Sequence, residues 1–287
     1  MIKGLAITPP ILGRISIGRV VEKNGKRLPE KDDQFTITSQ IQGKDGWIKH
    51  PLDEQLRPKA PNQKLRSIPV RMIFNDPELN LRAEYSLFDR QTCQRMTSQG
   101  VEQHPCPSPD LCQLGQGGHC KPYARLHVNL GEADEFGTFI FRTTGFNSIR
   151  TLAARLNYYH AASGGLLSCL PLQLTLRGKS TTQSYRQPVY YVDLTLQEGV
   201  DLQTAIQTAK EIDQQSKRVG FDQAALDQIA RQGFANAKFE VHAEEGMELL
   251  EEFYPHNDSA VDTEHSAQLG YVQEIQQGLK QSVQAVN

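Results

Sequence analysis

Four of the five cysteines, Cys93, Cys106, Cys112 and Cys120, fall within 28 residues at spacings C-x12-C-x5-C-x7-C. The stretch that carries them, Gln91 to Lys121, is rich in Gly and Pro and follows neither the helical nor the strand period, so it has no apolar face of its own to bury. Such a loop takes a fixed shape only when something other than a hydrophobic core holds it. Four thiolates around a zinc ion do this through metal–ligand free energy. The spacing is not one of the common finger patterns, and unliganded thiols, an iron–sulfur cluster and disulfides stand as alternatives. His104 and His119, beside Cys106 and Cys120, are substitute ligands. Four protein ligands leave no open position for a catalytic water, so the expected cofactor is one structural zinc. Gly115-Gln116-Gly117-Gly118 then gives the backbone freedom to wrap a metal rather than a cradle for phosphate. Cys169, inside the apolar run Leu166 to Leu172, reads as a buried small hydrophobe.

Outside that loop, strand signals dominate up to Leu196. Ile11 to Val21 and Gln34 to Gln42 alternate apolar with polar residues, bounded by Asn24-Gly25 and Lys44-Asp45-Gly46, as half-buried strands do. Ser67 to Phe74 and Leu79 to Phe88 repeat the pattern and predict a hairpin about Asn75-Asp76-Pro77. Trp47 to Arg66 reads as a surface loop. Tyr123 to Leu130 and Phe136 to Thr143 read as strands paired across Gly131 to Glu135. The spacing Ile149, Leu152, Leu156, Tyr159 predicts a helix capped by Asn147 or Ser148 and stopped by Gly164-Gly165. Leu166 to Arg177 and Pro188 to Leu196 are two further strands, and Asp201 to Arg218 and Asp222 to Arg231 two helices. The predicted fold is α+β: a mostly antiparallel β body over residues 1–198 with a four-cysteine zinc loop at 91–121, a helical segment at 199–236, and an acidic, partly disordered tail at 237–287.

Charge is unevenly spread. Residues 1–71 carry 14 Lys/Arg against 7 Asp/Glu, whereas residues 191–287 carry 6 against 17. A basic front and an acidic end suit a protein that meets nucleic acid, directly or through a partner, at one end only. The candidate phosphate contacts are Arg14, Arg19, Lys23, Lys26 and Arg27 in the first strands, and Lys49, Arg57, Lys59, Lys64 and Arg66 in the loop that follows. Tyr158-Tyr159-His160 reads as core rather than a base-stacking platform, and His127 as a satisfied surface histidine. No Walker loop, G-x-S-x-G or H-E-x-x-H motif is present, which argues against the common hydrolases. No apolar run approaches the ~20 residues of a membrane span. The start, Met1 to Leu12, lacks the pattern of a signal peptide. The expectation is a cytoplasmic, non-enzymatic protein that does not enter membranes; its oligomeric state is not legible.

Several segments carry a family resemblance: Gly13-Arg14-Ile15-x-Ile17-Gly18, Leu28-Pro29, Phe35-Thr36-Ile37-Thr38-Ser39, Cys93, Pro105-Cys106-Pro107, Cys120-Lys121-Pro122-x-x-Arg125-Leu126-x-Val128 and Phe141-Arg142-x-Thr144-Gly145. Over roughly residues 11–160 the chain resembles the recombination directionality factors that actinophages use with large serine integrases. The resemblance implies a phage-like or other mobile-element protein without chemistry of its own. It would bind a serine integrase, or another recombination protein, on DNA and shift it towards excision. The alternative is a direct DNA- or RNA-binding module of a mobile element, serving single-strand handling, recombination or defence.

Overall fold

The computed structural model describes residues 10–23, 26–43, 46–87, 120–130, 137–180 and 188–235. The acidic tail and most of the cysteine loop lie outside the described residues. Among the described residues the alternating segments form nine strands: β1 (Ile11–Lys23), β2 (Lys26–Gly43), β3 (Gly46–Lys49), β4 (Ser67–Met72), β5 (Leu81–Leu87), β6 (Cys120–Asn129), β7 (Thr138–Thr143), β8 (Leu172–Lys179) and β9 (Val189–Leu196). They make one sheet in the order β3-β2-β1-β7-β6-β4-β8-β9, with β5 also on β6. Every pairing is antiparallel except β1 with β7. Helices are α1 (Pro51–Leu56), α2 (Pro77–Asn80), α3 (Phe146–Ala162), α4 (Leu202–Arg218) and α5 (Gln223–Ala235). The α+β, mostly antiparallel architecture with two following helices is the one the sequence predicts.

One face of the sheet is apolar because period-2 alternation puts Phe35, Ile37, Ile15, Phe139, Phe141, Leu126, Val128, Val70 and Leu174 on the same side. Leu152 and Leu156 of α3 and Ala205 and Ala209 of α4 pack into the same cluster. Segment 64–66 ties distant strands together: the Phe35 amide donates to the Leu65 carbonyl at 2.7 Å, and the Leu176 amide to the Arg66 carbonyl at 2.8 Å. The sheet is therefore curled over its apolar face. Two glycines of the opening motif have steric reasons. A Cβ on Gly13 would stand 2.3 Å from the Thr38 carbonyl oxygen. Gly18 takes φ 117° where the β1–β2 register shifts, and its carbonyl accepts the Thr36 hydroxyl at 2.6 Å.

The predicted hairpin about Asn75 does not form. β4 and β5 both run antiparallel to β6 and share one of its edges end to end: Arg71 and Met72 pair Asn129 and Val128, while Leu81 to Leu87 pair Leu126 to Cys120. Residues 73–80 are an excursion from a single strand line, held by one buried side chain. Asn80 Oδ1 accepts from the Ile73 and Phe74 amides, both at 3.1 Å, and its Nδ2 donates to the Phe74 and Asp76 carbonyls at 2.7 and 2.9 Å. A hydrophobicity pattern reads an interrupted strand and a hairpin alike. Asn80→Ala leaves these buried backbone groups unpartnered, and urea unfolding is expected to show a loss of about 3 kcal/mol; a loss under about 1 kcal/mol would mean water replaces the side chain. The excursion also anchors its surroundings. Asn75 Oδ1 accepts from the Ser168 amide and hydroxyl, the Asn75 amide donates to Asp227 of α5, and its carbonyl lies 2.7 Å from His160 Nδ1 of α3.

Residues 47–66 are likewise not an open loop. They hold β3, α1 and two short 3-10 turns. Pro51 is suited to the first turn, and His50 Nδ1 accepts from the Leu52 amide at 3.2 Å as the cap. α3 begins at Phe146, without the predicted Asn147 or Ser148 side-chain cap. Ser148 instead accepts the Val192 amide at 3.0 Å. That bond belongs to a series along the outer edge of β9. The Leu194 amide donates to Asp193 Oδ1 at 2.9 Å, and the Leu196 backbone bonds the Tyr159 hydroxyl. Asp193 is further held by Arg155 and Arg177, at 3.1 and 2.6 Å.

Candidate nucleic-acid and partner interface

Beyond the Gly18 bulge, β1 and β2 leave the sheet together. β7 pairs β1 only from Ile11 to Ile15, and β3 pairs β2 only from Thr38 to Gly43, so among the described residues 19–23 and 26–30 pair with each other alone. The result is a two-stranded ribbon. Register sets Arg19 opposite Glu30, Glu22 opposite Arg27 and Lys23 opposite Lys26. Since cross-strand partners share a face, positions 19, 23 and 26 fall on one face and 27 on the other. These are four of the ten predicted phosphate contacts.

The other six are placed differently. The Arg14 guanidinium stacks on Trp47, 4.0 Å from the ring centroid, and Lys49 and Lys59 are exposed on β3 and in a 3-10 turn. Arg57 turns inward: its Nε and Nη2 each lie 2.8 Å from Asp53, Nη1 donates to Gln34 Oε1 at 2.6 Å, and Nη2 reaches the Phe35 carbonyl at 3.1 Å. Lys64 and Arg66 both bind Asp33, and this pairing holds the Asp33 carboxyl well below the usual carboxylate range. The sequence brings the ten together as one basic region; the structure separates them into a ribbon, a stack on Trp47, two exposed lysines and two intramolecular ion-pair groups, of which the Asp33 group with Lys64 and Arg66 lies at the surface.

A cationic group that the sequence reading missed lies on the middle strands. Arg82 of β5 pairs Arg125 of β6, which pairs Arg142 of β7, so three arginines stand in one row. Tyr123 lies under Arg125, its ring centroid 5.7 Å from the guanidinium carbon. His127, predicted at the surface, is buried at 5% exposure. Burial, then the charges of Arg125, Arg82 and Arg142, push its pKa down to about 3, against a hydrogen bond that the ring donates to the Asn80 backbone, which raises it. The alternation of Tyr123, Arg125, His127 and Asn129 marked these residues as one face; what it lacked was any sign that this face is covered.

The family likeness runs along the same strands. A model of Gp3-like, recombination directionality factor-like proteins matches residues 12–197. The chain belongs to this family. The match begins in β1 and ends just past β9, so the directionality factor-like region is the whole sheet with α1 to α3, and α4, α5 and the tail lie beyond it. No curated protein and no solved structure matches the chain. Of the predicted zinc ligands, Cys93, Cys106 and Cys112 fall outside the described residues, and Cys120 opens β6 opposite Leu87. Among the described residues no group of three or more His, Cys, Asp or Glu is arranged to hold a metal ion. Cys169 is half-buried against the core, and burial raises its thiol pKa. Tyr159 is core and Tyr158 is exposed. No described helix is long and apolar enough to cross a membrane.

Proposed function

We propose that this directionality factor-like protein is a non-catalytic accessory factor of DNA recombination, acting in the cytoplasm by binding a serine integrase on DNA and turning it towards excision. The observation that carries the reading is the family match across the entire sheet, β1 to β9. A factor of this kind needs no chemistry. It binds one synaptic arrangement more tightly than the other, and about 5.5 kcal/mol of difference converts a 1:99 preference into 99:1. A curled sheet with few loops among its described strands offers a rigid face for such discrimination. Zinc held by Cys93, Cys106, Cys112 and Cys120 would shape the loop between β5 and β6; four thiolates match its preference for soft tetrahedral ligands.

The test combines the purified chain with the serine integrase of the same element and scores recombination on parental and on hybrid sites. The expected result is excision on hybrid sites only when the chain is present, with about one zinc per chain by elemental analysis. Cys106→Ser should lose both metal and the excision-promoting effect. Excision unaffected by the chain rejects the integrase reading; a metal-free active chain rejects the zinc. The β1–β2 ribbon favours a second reading, because a two-stranded ribbon fits the major groove and positions 19, 23 and 26 share one of its faces. That reading predicts DNA binding without integrase and a marked salt slope, reduced by Lys23→Ala/Lys26→Ala.

A further inference from the structure

α3 turns Ile149, Leu152 and Leu156 into the core, and its opposite side meets solvent. Phe146, Arg150, Ala154 and Tyr158 follow one another there at four-residue intervals, which sets them in one stripe, and all four are exposed. Phe146 is 56% exposed and Tyr158 52%. Helical spacing groups Tyr158 with the core; instead the buried Tyr159 meets its ring edge-on from below, with centroids 5.3 Å apart.

Cations continue from this stripe onto β8. Arg155, one turn before Tyr158, and Arg177 each donate through Nε to Asp193, at 3.1 and 2.6 Å. Two guanidiniums thus share one carboxylate and keep a net positive charge. Their side chains are 48% and 49% exposed. Lys179, on the same face of β8 as Arg177, is held by a neutral partner, Asn147 Oδ1 of α3, at 2.8 Å. Arg150 makes no ion pair among the described residues. Carboxylates are scarce here: residues 144–197 contain five Arg/Lys and one acidic residue, Asp193. Asp33, which lines a cleft with Lys179 and Tyr190, is taken by Lys64 and Arg66, and Glu198 lies past the end of β9. A surface of this sign selects an anionic partner.

The exposed rings decide which one. They stand about 18 Å apart along the helix, each one turn from an arginine, with Arg150 and Ala154 between them. A protein hot spot gathers its apolar anchors at one desolvated centre. Separated rings interleaved with cations suit a single strand, whose bases stack on the rings while its phosphates follow the charges. In a duplex the bases already stack on one another and leave such rings idle.

We propose that the outer face of α3 and the adjoining end of β8 bind single-stranded nucleic acid, with Phe146 and Tyr158 stacking on bases and Arg150, Arg155, Arg177 and Lys179 contacting phosphates. The face includes no residue of the β1–β2 ribbon, and the integrase reading fails separately: excision can be absent with single-strand binding intact, and the reverse.

The full chain is titrated into a fluorescein-labelled thymidine oligonucleotide of about 12 nucleotides, and into a duplex of the same length, with anisotropy read at low salt. Wild type is expected to bind the single strand more tightly than the duplex, with affinity falling as salt rises. Arg150→Ala/Tyr158→Ala should weaken single-strand binding about tenfold at an unchanged melting temperature, whereas Lys23→Ala/Lys26→Ala keeps it. If the double variant no longer melts cooperatively, Arg150→Ala alone decides in its place. Equal single-strand affinity of variant and wild type overturns the proposal. Tighter binding of the duplex overturns it too and returns the contact to the ribbon. A wild type that binds neither nucleic acid also overturns it, and if the variant then loses the excision-promoting effect, the face belongs to a protein partner.

Discussion

Replacing Asp53 with alanine is expected to destabilise the fold by about 3 kcal/mol, because it leaves the Arg57 guanidinium without its anion inside the structure. Asp53 is 1% exposed. Its carboxylate receives two bonds from Arg57 and one from the Ile37 amide, at 3.0 Å, while the His50 amide donates to the Ile37 carbonyl. Asp53 and His50 thus stand in for a neighbouring strand at the centre of β2, and loss of the carboxylate removes an anion and a strand bond together. Arg57→Ala should lose a comparable amount, since it strands Asp53. Lys59→Ala, two residues away and exposed, should change stability by less than about 0.5 kcal/mol. Urea unfolding of the three variants separates the outcomes. If Arg57→Ala left stability unchanged while weakening DNA binding, the internal role assigned to Arg57 would be wrong.

Acid should weaken the fold well above the carboxylate range. His127 titrates at about 3 in the folded chain, below its ordinary 6.5. Above about pH 6.5 it is neutral whether folded or unfolded and contributes no pH dependence. Below that value the unfolded chain takes up the proton and the folded chain refuses it, so stability falls at about 1.4 kcal/mol per pH unit until about pH 3. Between about pH 7 and pH 5 the loss comes to about 2 kcal/mol. Asp33, depressed by Lys64 and Arg66, adds a loss in the same direction only once pH approaches about 4, whereas Asp227, raised by burial, opposes the loss as pH falls through its raised folded pKa towards the ordinary carboxylate value. The comparison with a His127 variant, rather than the pH window alone, therefore assigns the slope to the histidine. In His127→Gln, chemical unfolding at about pH 7 and about pH 5 should give nearly equal stabilities, even if both are lower than wild type. A slope unchanged by the substitution would place the titrating group elsewhere.

Period and punctuation carried most of the fold. β1, β2, β6 to β9, α3, α4 and α5 follow from alternation, Asn-Gly and Gly-Gly signals and the Asp201 cap, whose Oδ1 accepts the Thr204 amide at 3.0 Å. All of these are encoded within a few residues. What failed was non-local. Asn80 holds its excursion through four backbone bonds that have no signature in the sequence beyond one asparagine, and Pro-rich composition concealed α1, whose defining contact is Asp53 with Arg57 and β2. The basic residues were legible as a count and not as an arrangement: nothing in the order of Lys and Arg distinguishes Arg57, turned inward, from Lys59, exposed. His127 shows the same limit, because alternation assigns a side chain to a face without saying whether that face meets water. The family motifs stand apart, since Gly13-Arg14 and Phe141-Arg142 were readable as resemblance and the structure supplies their reasons in close strand approach and the arginine row.

The amides of Val192, Leu194 and Leu196 alternate along β9 and are taken by Ser148, Asp193 and Tyr159. A sheet normally offers two places for another strand to add, and here one is closed by the protein's own side chains. At the opposite end stands β3, four residues long, with exposed Ile41 and Ile48 nearby. Of the two ends of the strand order, β9 is therefore closed to an incoming segment, and among the described residues β3 is the end left to receive one. A second copy added at β3 would lengthen the sheet from that end and not from β9.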